Sequence, residues 1–391
     1  MNTSPSAFLL QCPPIPNVRI ALIGLGKRGM KTLIRYAYIQ HAEIRCIVDV
    51  ASDRLEAANE ALLQSGRPKA DALCGTDAWK EACQRTDIDL VYICTEWSSH
   101  AAMCIHAMEC GKHVAVEVPA ATTVKECLAL VETAERTQRH CFMTENCCYD
   151  FFALNTLEMN RRGLFGEITH CEGAYIHDLT PESADMDEHT ANGWIERSCL
   201  LQGGNPYPTH GIGPIGQLLG FHRRDRMHHL VSITSAGSKE EKLPVGRVNS
   251  TLIQTVNGVS ILLQLDVTTH RPYSRMQTVC GTRAFAQKYP TPSLQVGTES
   301  WSGEEALARM DRYAVSDASR LWKEGVEKRV PNAMNYAMDA RLIHCLNHGL
   351  SLDMDVYDAA EWSCLVDLTR QSALQGGMPV EVPDFMNRDS R

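Results

Sequence analysis

Ile20-Ala21-Leu22-Ile23-Gly24-Leu25-Gly26-Lys27-Arg28-Gly29 is the stretch whose reading decides the fold. Its four apolar residues read as a buried parallel strand. Glycines at 24, 26 and 29 follow, and the amphipathic run from Met30 to about Ile39 predicts a helix. In such a strand-turn-helix the first glycine makes the tight turn. The second lets the backbone approach a pyrophosphate, and the third lets helix and strand pack closely. The helix N-terminus supplies N–H groups and partial positive charge to the anion. A glycine triplet alone is a weak signal. Here a second strand, Ile44 to Val48, ends in Asp49, twenty residues after Gly29. A carboxylate there accepts from both ribose hydroxyls and repels a 2′-phosphate, so the expected cofactor is NAD rather than NADP. The bland alternative is a purely structural strand-turn-helix; the context on both sides favours the dinucleotide.

Up to about residue 145 strands and helices alternate. Ser52 to Leu63 predicts a helix with Ser52 as its cap. Further helices are expected over Asp77 to Cys83, from within Thr95–His100 to Cys110 and over Val124 to Arg139. Strands are expected at Ala72–Cys74, Asp89–Cys94, His113–Val116 and His140–Thr144. This is the pattern of a doubly wound parallel sheet, whose ligands lie at the carboxyl ends of its strands. Those ends carry Asp49, Trp97 and His100, Glu117 and Asn146. Lys27 and Arg28 in the glycine turn suit a pyrophosphate. Asn146 suits the ribose or carboxamide side of the cofactor. Glu117 suits the same groups, with an ordinary strand-end carboxylate as its plain alternative.

Composition narrows the rest. A net charge of −9 and no useful Lys/Arg run exclude a nucleic-acid stripe. The sixteen cysteines fall at irregular spacings, mostly inside apolar runs, and read as reduced core residues of a cytoplasmic protein. No apolar run reaches membrane-spanning length, so no membrane partner is expected. Residues 1–17 read as a loose N-terminal arm; the apolar core at Ala7–Leu10 is too short for a signal peptide. His344 and His348 stand four apart on a helix without a third ligand, and no metal site is expected.

The second half changes character. A helix over Phe151–Arg162 and a long strand over Ile168–His177 precede the loop Gly203-Gly204-Asn205-Pro206-Tyr207-Pro208-Thr209-His210-Gly211, which opens a helix to Leu219. Alternating segments at His229–Ser235, Ser250–Val256, Val259–Asp266 and Met276–Cys280 follow, with Asn257-Gly258 as a hairpin turn. The expectation is an α/β chain: an NAD-binding domain over 18–145, then a largely antiparallel open sheet over 146–391, with a helical run from Ala333 to Gln375.

The chain resembles the Gfo/Idh/MocA oxidoreductases and, more closely, the NAD-dependent glycoside hydrolases of family 109, the α-N-acetylgalactosaminidases. The residues that carry this are Gly24-Leu25-Gly26-Lys27-Arg28-Gly29, Trp97-Ser98-Ser99-His100, Glu117-Val118-Pro119, Glu145-Asn146-Cys147-Cys148-Tyr149 and Gly204-Asn205-x-Tyr207-Pro208-Thr209-His210-Gly211. Dehydrogenases of the wider group carry Lys where this chain has Val118, and an Asp four residues before the His, where it has Pro206. A valine carries no proton, which disfavours an ordinary sugar dehydrogenase.

The resemblance implies a redox-neutral hydrolysis. NAD takes hydride from C3 of the sugar, a base removes the acidified C2 proton, the C1 group leaves, water adds and the hydride returns. Such glycosidases are exceptions to the paired-carboxylate scheme. By resemblance Tyr175 contacts substrate and is a candidate C2 base, Tyr207 and His210 line the sugar with His210 as proton relay, and Arg197 and Tyr289 bind the sugar. The plain readings are a half-buried strand tyrosine for Tyr175, a helix-capping histidine for His210 and a solvated charge for Arg197. Two other functions stay open: a net sugar or cyclitol dehydrogenase or epimerase, and a silent sugar-nucleotide sensor. The fold implies a homo-oligomer, dimer or tetramer.

Overall fold

The quoted strand lies at the centre of a six-stranded sheet. In the computed structural model, which describes residues 6–178, 203–235 and 248–387, the first elements are β1 (Val18–Ile23), α1 (Lys27–Tyr36), β2 (Ala42–Asp49), α2 (Ser52–Gln64), β3 (Asp71–Cys74) and α3 (Ala78–Gln84). They continue as β4 (Leu90–Ile93), α4 (Trp97–Glu109), β5 (His113–Val116), α5 (Val124–Thr137) and β6 (Cys141–Met143). The strand order is β3-β2-β1-β4-β5-β6 and every pairing is parallel. Ile20 to Ile23, Leu90 to Ile93 and Val114 to Val116 are all buried, which is why these runs are continuously apolar instead of alternating. The order reverses between β1 and β4, and ligands of such sheets bind at that switch.

Local signals set the helix ends. Thr123 and Glu126 form a reciprocal capping box at the start of α5. Gln138 takes a left-handed conformation and stops the helix before the expected Arg139. Ser52 is not a cap: it is the first helical residue of α2, and Ala51 holds the cap position with no side chain to offer.

The second sheet has nine strands. A 3-10 turn (Asn146–Tyr149), α6 (Phe151–Arg161), β7 (Ile168–Ile176) and α7 (Thr209–Leu219) lead into β8 (Met227–Thr234), β9 (Val248–Thr255), β10 (Ser260–Asp266) and β11 (Ser274–Gly281). Then come β12 (Ala284–Gln287), β13 (Ser293–Val296), β14 (Glu299–Ser302), α8 (Gly303–Asp311), α9 (Asp317–Glu327), α10 (Ala333–His348), α11 (Val356–Ser363), α12 (Leu365–Leu374) and β15 (Val380–Glu381). The order is β14-β13-β12-β11-β7-β10-β9-β8-β15, antiparallel except between β7 and β10. Asn257-Gly258 turns the β9–β10 hairpin as expected, with Gly258 at φ 87°. Strands β12 to β14 carry no signal in the sequence, because they are short and β14 is mostly exposed and polar.

The chain forms two compact units, Met1–Thr144 with Leu321–Ala360, and Glu145–Arg320 with Glu361–Arg391. The expected boundary at 145/146 lies beside the first division. Leu321–Ala360, expected in the second domain, clusters with the first. A buried ion pair accounts for part of this return: Arg35 of α1 meets Asp339 of α10 at 2.6 Å, and Tyr92 of β4 donates to the same carboxylate at 3.1 Å. The described part of the N-terminal arm is not loose. Ala7 and Cys12 are buried, the Ala7 N–H donates to Tyr357 Oη, and the Ile15 N–H donates to the Leu346 carbonyl at 3.0 Å.

Candidate active site

In the first unit the glycine turn leaves β1 as expected. Gly24 sits at φ +86°, and a Cβ there would lie 2.6 Å from the Cys94 carbonyl oxygen, so only glycine fits. Gly29 packs directly over Gly24, whereas position 26 faces open space. Gly26 caps α1 without a side-chain hydrogen bond, and the first turn of α1 carries no acid. An unobstructed helix N-terminus behind a closed glycine turn fits a pyrophosphate. Asp49 ends β2 buried, accepting the Leu25 N–H at 2.6 Å and the Ala51 N–H at 3.0 Å. Each carboxylate oxygen has a second lone pair for a ribose hydroxyl.

The other residues expected at the cofactor divide by environment. Lys27 is exposed at the start of α1. Arg28 bonds Glu117 at 2.7 Å and Asn335 at 3.2 Å, so its guanidinium holds that strand-end carboxylate. Trp97 opens α4 and is buried, as is Val118. His100 is fully buried with Nδ1 2.7 Å from the Pro119 carbonyl and Nε2 3.0 Å from the Thr95 carbonyl. Its ring lies between two backbone carbonyls, of which the neutral imidazole donates to one, and burial pushes its pKa down. Asn146 belongs to the second unit, where it opens the 3-10 turn.

The second unit gathers an acid–base and aromatic cluster. Helix α7 lies hard against β7: a Cβ on Gly173 would sit 2.4 Å from the Gly211 carbonyl oxygen. That approach brings His210, at the start of α7, beside Tyr175 of β7, with ring centroids 5.4 Å apart. Tyr207 completes the group, 4.9 Å from the Tyr175 ring and 4.7 Å from that of His210. Asn205 shapes the loop by accepting the Tyr207 N–H. Tyr289 stacks edge-on with Tyr273, which meets His177 in turn. Arg197 lies outside the described residues.

Five members of this cluster were not singled out from sequence as site residues. His177 Nδ1 lies 2.9 Å from the Tyr175 hydroxyl. Glu145 Oε1 lies 2.7 Å from His210 Nδ1. Arg275 Nη1 donates to Cys147 Sγ at 2.6 Å, and Nε of the same guanidinium donates to Tyr273. The period-two spacings Tyr175/His177 and Tyr273/Arg275 are a usable signal, since alternate strand residues share a face. Burial opposes the charge on Glu145, but the charge and hydrogen bond of His210 outweigh it and hold its carboxyl at about 2. Burial pushes the Cys147 thiol far up, against the pull of Arg275. The cluster thus holds an ionised carboxylate, a histidine, tyrosine hydroxyls and a guanidinium, a set able to move protons around a polyol.

Comparison with known proteins accords with both units. Residues 18–145 match the oxidoreductase family with an NAD-binding Rossmann fold, and residues 149–389 match the C-terminal domain of glycosyl hydrolase 109. The chain is 50% identical to an alpha-N-acetylgalactosaminidase of Bacteroides fragilis, across 95% of this chain and 93% of that one. The chain belongs to glycosyl hydrolase family 109. A further member, family 109 protein 2 of Phocaeicola vulgatus, is 48% identical across 97% of each chain. Among solved structures, levoglucosan dehydrogenase in complex with NADH and levoglucosan superposes with a TM-score of 0.73 at 19% identity, covering 94% of this chain and 100% of that one. That likeness shows the shared fold.

Proposed function

We propose that this chain is an NAD-dependent, redox-neutral glycosidase acting on α-linked N-acetylgalactosamine or a close relative. The observation that carries the reading is 50% identity, over nearly all of the chain, to an alpha-N-acetylgalactosaminidase. The cluster around Tyr175, Tyr207 and His210 supplies the acid–base groups such a reaction needs. Val118, buried and apolar, supports it further, since no lysine stands there to serve a net dehydrogenase.

The glycine turn from Gly24 to Gly29, the start of α1 and Asp49 would hold NAD. When bound, NAD accepts a hydride from the sugar and returns it, giving a C3 carbonyl for part of the cycle and no net redox change. His210 moves the proton of the 3-hydroxyl. Tyr175, whose hydroxyl proton His177 can accept, removes the proton at C2. The C1 group then leaves with its bonding electrons and takes up a proton. Water adds at C1 as a proton returns to C2. Tyr207 and Tyr289 orient the sugar by ring contact and hydroxyl.

Among the described residues no helix is long and apolar enough to cross a membrane. The many buried free thiols favour a reducing, cytoplasmic setting. Exposed Ile233, Leu252 and Val256, on or beside β8 and β9, favour a homo-oligomer, which light scattering would size. The activity is tested with nitrophenyl N-acetyl-α-galactosaminide, with and without NAD. Nitrophenol release that requires NAD and accumulates no NADH is expected. Net NADH would make the chain a dehydrogenase, and tight binding without turnover a sensor.

A further inference from the structure

We propose that Glu145 is the positioning residue for His210: its buried carboxylate holds the ring with Nδ1–H turned inward and leaves Nε2 to meet the substrate. The inference rests on the glycosidase reading, in which His210 carries the proton of the 3-hydroxyl.

Glu145 follows β6 and enters the 3-10 turn, where its Oε1 accepts the Cys147 N–H at 3.0 Å. Capping is a sufficient role for a serine or asparagine, which would do it without burying a charge. Glu145 is fully buried, and an unpaired carboxylate in such a place is costly. The same Oε1 lies 2.7 Å from His210 Nδ1, itself on a largely buried ring. An ionised carboxylate only accepts hydrogen bonds, so Nδ1 must be the nitrogen that carries hydrogen. In the neutral ring the lone pair then sits on Nε2, ready to take a proton and give it back. Helix α7 makes room for this carboxylate. A Cβ on Gly213, one turn after His210, would stand 2.7 Å from Glu145 Cγ. Glycine there lets the Glu145 stem pass beneath the helix that bears His210.

A bound cation is the rival account, since ligand atoms of Glu145, Cys147 and His210 lie within 4.8 Å of one another. Arg275 opposes it. Its Nη1 lies 2.6 Å from Cys147 Sγ, so a permanent positive charge already faces the sulfur. Burial also keeps that sulfur a thiol rather than a metal-binding thiolate.

The test uses Glu145→Gln in the full chain. Glutamine keeps the turn's acceptor but offers a donor as well, so it no longer dictates which ring nitrogen holds hydrogen. In protein carrying 15N-labelled histidine, with His210 signals assigned by their loss in His210→Ala, the wild type should show Nδ1 protonated. Glu145→Gln should show a mixture of tautomers. In the glycoside assay kcat should fall about 100-fold, the scale of acid–base catalysis, with KM and NAD affinity within about threefold. In a His210→Ala background the same change should add nothing, which a merely structural role would not reproduce. A wild-type ring protonated at Nε2 alone, additive losses, or one tightly held metal ion per chain would each overturn the proposal. The tautomer measurement needs no turnover, and the wild-type ring answers it once the His210→Ala protein has assigned its signals, so it stands or falls apart from the glycosidase reading.

Discussion

The hydroxyl of Tyr175 and Nδ1 of His177 lie 2.9 Å apart, joined across two residues at the end of one strand. A tyrosine hydroxyl has an ordinary pKa of about 10, so it takes a proton from carbon only if a neighbour first accepts its own. In the proposed reaction the imidazole is that neighbour. Tyr175→Phe should therefore abolish turnover, and His177→Ala should lower kcat by about 10²-fold with KM little changed. Steady-state kinetics on a nitrophenyl glycoside measure both; a His177→Ala enzyme at wild-type rate would remove His177 from the reaction.

Hydrolysis run in D₂O should place deuterium at C2 of the released sugar and none at C3, because the C3 hydride never meets solvent. NMR or mass spectrometry of the product reads this directly. A C2-deuterated substrate should also react more slowly when proton removal limits the rate. Product without C2 deuterium and without that isotope effect would leave only direct displacement.

Asp49→Ala should weaken NAD binding about tenfold to a hundredfold, since a hydrogen bond to a charged group is worth about 1.5–3 kcal/mol. The preference for NAD over NADP should narrow, as the 2′-phosphate loses its repelling carboxylate. Titration calorimetry with both nucleotides gives the answer. Because Asp49 also accepts from Leu25 and Ala51, the turn itself should loosen and Tm should fall.

Glu145 makes stability depend on pH in a defined direction. Its carboxyl is held at about 2 in the folded protein, against about 4.3 for a free glutamate. The unfolded chain therefore binds the proton first as pH falls. The stabilisation is whole above about pH 4.3 and drains away between there and about pH 2. Glu145→Gln should flatten the acid limb of the stability curve across that window, as measured by denaturant unfolding at stepped pH. An unchanged slope would mean that the carboxyl titrates alike in both states.

The first sheet was legible because its signals are local. Ile20–Ile23 and Leu90–Ile93 are unbroken apolar runs, and the glycine turn imposes its spacing within ten residues. Tyr207 and His210 were legible through a long motif and Tyr175 through the family resemblance, and the structure brings their rings together. Glu145 and Arg275 were not. Glu145 reaches His210 across 65 positions of sequence, and Arg275 reaches Cys147 across 128, so no local pattern announces either contact. The arm failed for a related reason. A proline-rich start reads as loose, and what pins it, Tyr357 and Leu346, lies more than 300 residues away.

The ion pair between Arg35 and Asp339 joins an early part of the chain to a late one. The two residues are 304 positions apart, so the ribosome completes the whole first sheet long before the carboxylate exists. Until then a guanidinium destined for the interior has no counter-charge. A fragment ending near residue 145 would bury that arginine unpaired, at a cost of about 3–5 kcal/mol, or refuse to bury it and stay partly unfolded. Adding back a peptide spanning residues 321–360 would supply the missing charge and rescue the fragment in trans. The first sheet thus takes the counter-charge of its buried arginine from a helix 304 positions away.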